Sequence, residues 1–531
     1  MLIRSLMKCK LRATSSNNNL SIFFSRRKRS NGVDFAILIG WVAAVGYQIG
    51  QHVMWRDEVR ALTIALNGDN MLAMLQGLHG EGHPAVWYLL LRAAHDLFGS
   101  VEVLPGVAFM VALITVALLI FRSPFPRSLV VIIIVSNYLL FEYVVIARNY
   151  EISVLFLFAI AAGYQTWRTR GVVLGLLLFL LANTNVMAAI SVGTFLLFWL
   201  LDLLEETALR WTPQLTNFAL NALIATIGVV VCGLTMLPTY NDAAVLDWSA
   251  SSPIVAAAKA IFNPGGHLPL FPAFMSPLGS VLLFGSTLGL LTRRPAFVAA
   301  FAGLLLSALF MAVAATGGYR HAAVWLSFLI ALYWICWNDI VKNVSGASKT
   351  WVRSISCGGA AAFLLLMGVQ SALGLRTISA QLRGRNTIAS RSADLGRLIS
   401  SRSDLSNAVI VGEPEYLVEP LAYYIPNRTY LIREHRFGNV VKFSKSGQIA
   451  TDLGETLRVS RELQRVTDSP VIILMFHRLD QITPNQLYNE GYNWTFRAST
   501  EQIREFLDQT TMIRRFEPAA TDESFDVYLL K

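Results

Sequence analysis

The sequence predicts a polytopic α-helical membrane protein of about eleven spans, followed by a C-terminal soluble α/β domain. Three observations predict it. Of 531 residues, 54% are apolar and only 15% charged, whereas a soluble domain carries about 25% charged residues. The apolar residues come in blocks close to the ~20 residues that a helical span needs. Beyond residue 376 the blocks stop, and short apolar stretches of strand length alternate with helical patterns. The four cysteines (Cys9, Cys232, Cys336, Cys357) lie in the N-terminal tail or in apolar stretches. That excludes a disulfide framework and a cysteine zinc module.

Taken in order, residues 1–32 form a basic tail whose Arg26-Arg27-Lys28-Arg29 cluster directly precedes the first apolar run. The tail is expected to anchor that run on the cytoplasmic side; a cleaved targeting peptide is the alternative. Apolar segments then follow at 33–50, 104–121, 128–146, 151–167, 171–183, 186–204, 216–238, 275–292, 295–315, 321–338 and 354–374. The 171–183 segment is short for a span. Pro84 to Phe98 is left out because it reaches only about 22 Å as a helix. Its Arg92, His95 and Asp96 also share one face, so it should lie in the membrane interface. Residues 33–376 therefore form the membrane domain, with a long loop at 51–103 and a second at 239–276. Residues 377–531 form the α/β domain, with strands at Ala408–Gly412, Thr429–Arg433, Pro470–Phe476 and Phe525–Leu530 and helices near 415–425 and 451–467.

Charge sets the orientation. The net +10 is read first as a positive-inside signal, not as a nucleic-acid signature. Eleven spans put Arg122, Arg127, Arg168, Arg170, Arg210, Arg293, Arg294, Lys342, Lys349 and Arg353 on the cytoplasmic side with the tail. Few arginines remain for the other face, which also receives both long loops and the C-terminal domain.

Those outer residues are the candidate site. Met54-Trp55-Arg56-Asp57-Glu58-Val59-Arg60 opens the first loop, with Val59, Leu62 and Leu66 on one side of a short helix. Asp57 either caps that helix or, with Glu58, supplies a general base at the membrane surface, Arg56 and Arg60 receiving an anion beside it. Gly82-His83-Pro84 precedes the interfacial helix, where His83 is a cap or a donor to phosphate. Ala147-Arg148-Asn149-Tyr150-Glu151 joins two spans, and its arginine either snorkels to head groups or binds an anion. Gly317-Gly318-Tyr319-Arg320-His321 opens the 321–338 span. His52, His79, His83, His267 and His321 share the outer side, but their spacing matches no metal motif. No cofactor is expected, and a divalent ion is left open.

Ionisable groups beside apolar spans are costly and mark function. A lipid-linked phosphosugar accounts for all of them. Its phosphate must sit at the interface, where arginines can meet it. A carboxylate base must strip the acceptor hydroxyl, and the departing polyprenyl phosphate needs cationic donors rather than a second acid.

The order of these motifs resembles the GT-C superfamily of polyprenol-phosphate-sugar-dependent glycosyltransferases, nearest the protein-mannosyltransferase and lipid A aminoarabinose-transferase branch. Trp55-Arg56-Asp57-Glu58, Gly82-His83-Pro84, Phe98-Gly99 with Glu102, Ala147-Arg148-Asn149-Tyr150 and Tyr319-Arg320-His321 carry the resemblance over roughly residues 33–340. Ala85 replaces a second proline of the family, and Glu151 stands where many relatives have an aliphatic residue. The resemblance implies a catalytic Asp57 with Glu58. It implies phosphate contacts from Arg56, Arg60, His83, Arg148, Tyr150, Arg320 and His321, and inversion at the anomeric carbon. The implied partners are a polyprenyl-phosphate sugar, a glycolipid, polysaccharide or protein acceptor, and the bilayer. The implied setting is a bacterial cytoplasmic membrane. A transporter of an anionic lipid-linked sugar is the alternative, but it would call for mid-span charges and internal symmetry that this sequence lacks.

Overall fold

The computed structural model describes residues 31–78, 81–207, 210–237, 252–314, 317–345, 350–385, 387–445 and 447–531. Residues 1–30 of the basic tail, His79 and residues 239–251 of the second loop lie outside the described residues.

The membrane domain runs α1 (Asn31–Ile49), α2 (Arg56–Ala65), α3 (Met71–Gly77), α4 (Val86–Phe98), α5 (Val103–Arg122), α6 (Arg127–Ile134), a π-helical turn (Tyr138–Glu142) and α7 (Tyr150–Trp167). It continues with α8 (Val173–Ala182), α9 (Val186–Thr207), α10 (Pro213–Met236), α11 (Pro253–Phe262), α12 (Pro264–His267), α13 (Ser276–Leu288), α14 (Arg294–Val313), α15 (Tyr319–Ser345) and α16 (Thr350–Leu382). Among the described residues seven helices, α1, α5, α9, α10, α14, α15 and α16, are long and apolar enough to cross a membrane.

Four expected spans differ. The 171–183 and 275–292 segments form helices of 10 and 13 residues, about 15–20 Å at 1.5 Å per residue against a ~30 Å hydrocarbon core. The 151–167 segment is the 18-residue α7, made less apolar by Glu151 and Gln165. The 128–146 segment is broken: α6 stops at Ile134 and the chain passes through the π-helical turn. Carbonyls in a broken span need partners from neighbouring helices. Trp41 Nε1 donates to the Leu139 carbonyl at 3.2 Å and Gln48 Nε2 to that of Leu140 at 2.9 Å. Ser371 Oγ donates to the Ile132 carbonyl at 2.5 Å. Gly374 of α16 lies so close to the break that a Cβ there would collide with the Val135 carbonyl. The Pro84–Phe98 segment forms the 13-residue α4.

Ion pairs mark one end of the bundle. Arg127 pairs with Asp34 at 2.9 Å, and Asp202 receives both Arg168 and Arg293 at 2.5 Å. The opposite end carries α2, α4 and the starts of α5, α7 and α15. There a separate apolar cluster packs Val59 and Leu62 of α2 onto Trp87 and Leu91 of α4 and Leu104 of α5.

The helix α16 runs past the expected boundary at 376 to Leu382. The C-terminal domain then contributes α17 (Ser392–Ser400), β1 (Val409–Glu413), a 3₁₀ helix (Glu415–Tyr423), β2 (Thr429–Leu431), β3 (Arg436–Phe437), β4 (Ala450–Asp452) and α18 (Leu453–Thr467). After these come β5 (Val471–Met475), β6 (Tyr488–Gly491), β7 (Trp494–Arg497), α19 (Thr500–Gln509), β8 (Thr510–Phe516) and β9 (Phe525–Leu530). Six strands form one mixed sheet in the order β3-β2-β1-β5-β9-β8, and β4-β7-β6 form a second. The strand β1 pairs parallel with β2 and β5, in register Ile410 with Ile472, whereas β9 is antiparallel to β5 and β8. Both faces of β1 are buried, Ile410 in one apolar cluster and Val409 and Val411 in the other. That explains its unbroken apolar run. Between the sheets, buried Arg433 contacts Glu413 at 2.7 Å and Glu490 at 2.8 Å. Its backbone N–H donates to Glu415, and His477 meets Glu490 at 2.9 Å.

Candidate functional site

The site is organised by the first turn of α2. Trp55 caps that helix in extended conformation (φ −119°, ψ 174°) with no side-chain cap of its own. Glu58 reaches back instead, its Oε2 accepting from the Trp55 N–H at 3.3 Å. This one-sided use of an N3 glutamate satisfies the N–H of the cap residue. Glu58 is fully buried. Its Oε2 also meets His52 Nε2 at 2.8 Å, and its Oε1 accepts from the Ala147 N–H at 2.6 Å. Glu58 therefore ties α2 to the segment that carries Arg148, and its oxygens face structure rather than open space.

Asp57 lies one residue away on another face. Its side chain is 33% exposed and meets Arg148 Nη1 at 3.0 Å. The same Nη1 donates to the Asp57 carbonyl at 2.9 Å, while Nη2 contacts His83 Nε2 at 3.0 Å. Arg320 stands at 4.0 Å from the Asp57 carboxylate and 3.9 Å from Glu142, its guanidinium over the Trp55 ring. Burial works to raise the Asp57 pKa, but Arg148, Arg56 and Arg320 outweigh it and hold the carboxyl below its ordinary value. Burial, with Arg148 beside it, holds His83 down at about 4. His83 is thus neutral at pH 7 and accepts the arginine's hydrogen bond.

Tyr150 and His321 complete one wall. The Gly318 N–H donates to His321 Nδ1 at 3.1 Å, so the ring proton resides on Nε2, which meets the Tyr150 hydroxyl at 2.8 Å. Tyr150 therefore accepts from His321 and retains its own proton for another acceptor. The ring of Tyr143 stacks on that of Tyr150 at 5.7 Å, and the Tyr143 hydroxyl donates to the Arg320 carbonyl at 2.5 Å.

Of the residues expected from sequence, Asp57, His83, Arg148 and Arg320 converge directly, and Tyr150 with His321 adjoins them. Arg56 adjoins them, its Nε 4.0 Å from the Asp57 carboxylate, whereas Arg60 stands apart. They sit four apart on one face of α2, turned to the C-terminal domain. Arg56 Nη1 binds Asp522 at 3.0 Å and its guanidinium lies over the Tyr416 ring. Arg60 binds Glu81 at 2.8 Å, the Val441 carbonyl at 2.9 Å, and Glu419.

Sequence reasoning missed Glu142 and Tyr143. A lone acid in the apolar 128–146 run was the available signal for Glu142; the π-helical turn that aims it had none. Among the described residues no group of three His, Cys, Asp or Glu side chains has metal-ligand proximity. At the same end an apolar groove of about 480 Å³ runs between α4 and α5, lined by Leu90, Phe98, Val103, Met110 and Ile114.

No family model matches the chain, and no curated protein matches it. Among solved structures it is similar to the crystal structure of ArnT from Cupriavidus metallidurans bound to undecaprenyl phosphate. The identity is 11% and the TM-score 0.44, over 94% of this chain and 97% of that one.

Proposed function

We propose that this chain is an integral-membrane glycosyltransferase that moves a sugar, with inversion, from a polyprenyl-phosphate donor to an acceptor outside the cytoplasm. The observation that carries the reading is Asp57 set between Arg148 and Arg320, at 3.0 and 4.0 Å, at one end of an apolar bundle. The motif order resembling the GT-C superfamily supports it.

In this reading Asp57 takes the proton of the acceptor hydroxyl, and the freed oxygen attacks the anomeric carbon from the face opposite the phosphate. The carbon–oxygen bond to phosphate breaks, and its electron pair leaves with the polyprenyl phosphate. Arg148 and Arg320 meet the growing negative charge on that leaving group. Glu58 holds the first turn of α2 in place and does not react. The groove between α4 and α5 gives the polyprenyl chain an apolar path.

The geometry also bears on timing. While Asp57 is the carboxylate that both guanidiniums face, it is a weak base. A donor phosphate on the same arginines shares their charge between two anions, and the proton affinity of Asp57 rises when it is needed.

The test is Asp57→Asn, assayed in nanodiscs with polyprenyl-phosphate sugars and extracted envelope glycolipids. Turnover should fall by roughly 10²–10⁴-fold, the worth of a positioned base, with donor binding largely kept. Near-normal turnover would return Asp57 to a structural role.

A further inference from the structure

Glu523 and Asp522 sit on the loop between β8 and β9, far from α2 in sequence but against it in space. Glu523 is fully buried, and its Oε1 accepts from the Arg56 N–H at 2.9 Å. Arg56 is the first residue of α2, so its N–H is one of the open donors at a helix start, and a residue of another domain satisfies it. Asp522 holds the same residue by its side chain at 3.0 Å. The next residue is Asp57.

The loop that supplies these groups is itself held. The Ala520 N–H donates to the Ile388 carbonyl at 2.8 Å and Thr521 Oγ1 to that of Ala389 at 2.6 Å. The Arg391 N–H donates to the Glu523 carbonyl at 3.2 Å, and the Arg391 guanidinium reaches the Pro518 carbonyl at 2.9 Å. Residues 388–391 come shortly after α16 ends at Leu382, so the loop is fastened to the chain soon after it leaves the membrane domain. A second grip comes from Tyr424, whose hydroxyl donates to the Met54 carbonyl at 2.8 Å, just before α2.

We propose that the C-terminal domain positions the reacting carboxylate: Glu523 and Asp522 fix the first turn of α2 and thereby the place of Asp57 between Arg148 and Arg320. They are positioning residues, and the inference rests on the transferase reading above. A misplacement near 1 Å can cost roughly 10²-fold in rate, so a carboxylate on the first turn of a ten-residue helix gains from a fixed terminus.

The experiment compares Glu523→Ala with Glu523→Gln in the full-length protein, since the amide oxygen can still accept from the Arg56 N–H. Hydrogen exchange over residues 52–60 reads the cap without requiring activity. Exchange should quicken roughly fivefold in Glu523→Ala and return towards the parent rate in Glu523→Gln. The turnover number of Glu523→Ala should fall roughly tenfold or more with the donor Michaelis constant changed less than about twofold. In an Asp57→Asn background Glu523→Ala should cost little more, because both changes act through one carboxylate. Unchanged exchange, or full turnover with quickened exchange, overturns the proposal. A parent that transfers no sugar while exchange still quickens overturns the transferase reading instead, and reduces the cap to a device of the fold.

Discussion

Arg148 and Arg320 reach Asp57 by different routes, one at 3.0 Å with a second bond to the Asp57 carbonyl, the other at 4.0 Å and shared with Glu142. If both receive the leaving phosphate, they bind the transition state better than the ground state. Lysine keeps the charge and loses the planar fork. Arg148→Lys and Arg320→Lys should each lower the turnover number more than they raise the donor Michaelis constant, measured by steady-state kinetics. Parent-like values in both would make them interface anchors. The convergence of Asp57, His83, Arg148 and Arg320 was legible because each sits in a loop or at a span end that charge had placed on one side. The fates of Arg56 and Arg60 were not, since their partners Asp522 and Glu419 lie 466 and 359 residues away.

At the scale of elements, the buried cluster between the two sheets of the C-terminal domain makes a pH prediction. Burial pushes Glu413 and Glu415 up to about 8 each and raises Glu490, with Arg433 the main group opposing it. A carboxyl raised in the folded state binds its proton more tightly there than when unfolded. Its stabilisation is complete below the unfolded value of 4.5 and lost as pH climbs through about 8. Burial lowers His477, which acts in the opposite sense only below its ordinary value of 6.5. Between pH 7 and 9 the domain should lose roughly 1 kcal/mol or more. Hydrogen exchange at β1 and β5 amides, corrected for intrinsic rates, should show that loss; equal protection at both pH values would refute it. The apolar runs of β1, β5 and β9 announced those strands, whereas β4, β6 and β7 are short and polar enough to pass as loop. The same limit applies to the membrane domain: composition gives an apolar run its place but does not reveal that neighbouring side chains will satisfy a break at 135–149.

At the scale of the whole molecule, the basic side chains of Arg127, Arg168 and Arg293 share the end opposite Asp57. The positive-inside rule predicts that this end faces the cytoplasm, with the C-terminal domain and the site outside. A reporter that works only outside the cytoplasm should be active when fused after Arg385 and silent in the 168–172 loop. The reverse pattern would invert the orientation and remove the site from any extracytoplasmic acceptor.

The cap on α2 has a further consequence for how the protein is made. Arg56 and Glu523 are separated by 467 residues, and a ribosome adds about 5–20 residues per second. The helix bearing Asp57 thus waits on the order of 20–90 s for its partner after it emerges. Throughout that interval the membrane segments can insert and associate, and the first turn of α2 is held by Glu58 and Arg148 but lacks the cap from Glu523. A chain released early, short of Asp522, would on this proposal insert without the cap and turn over more slowly. On the same proposal, synthesis of the distant loop is the step that completes the seating of Asp57.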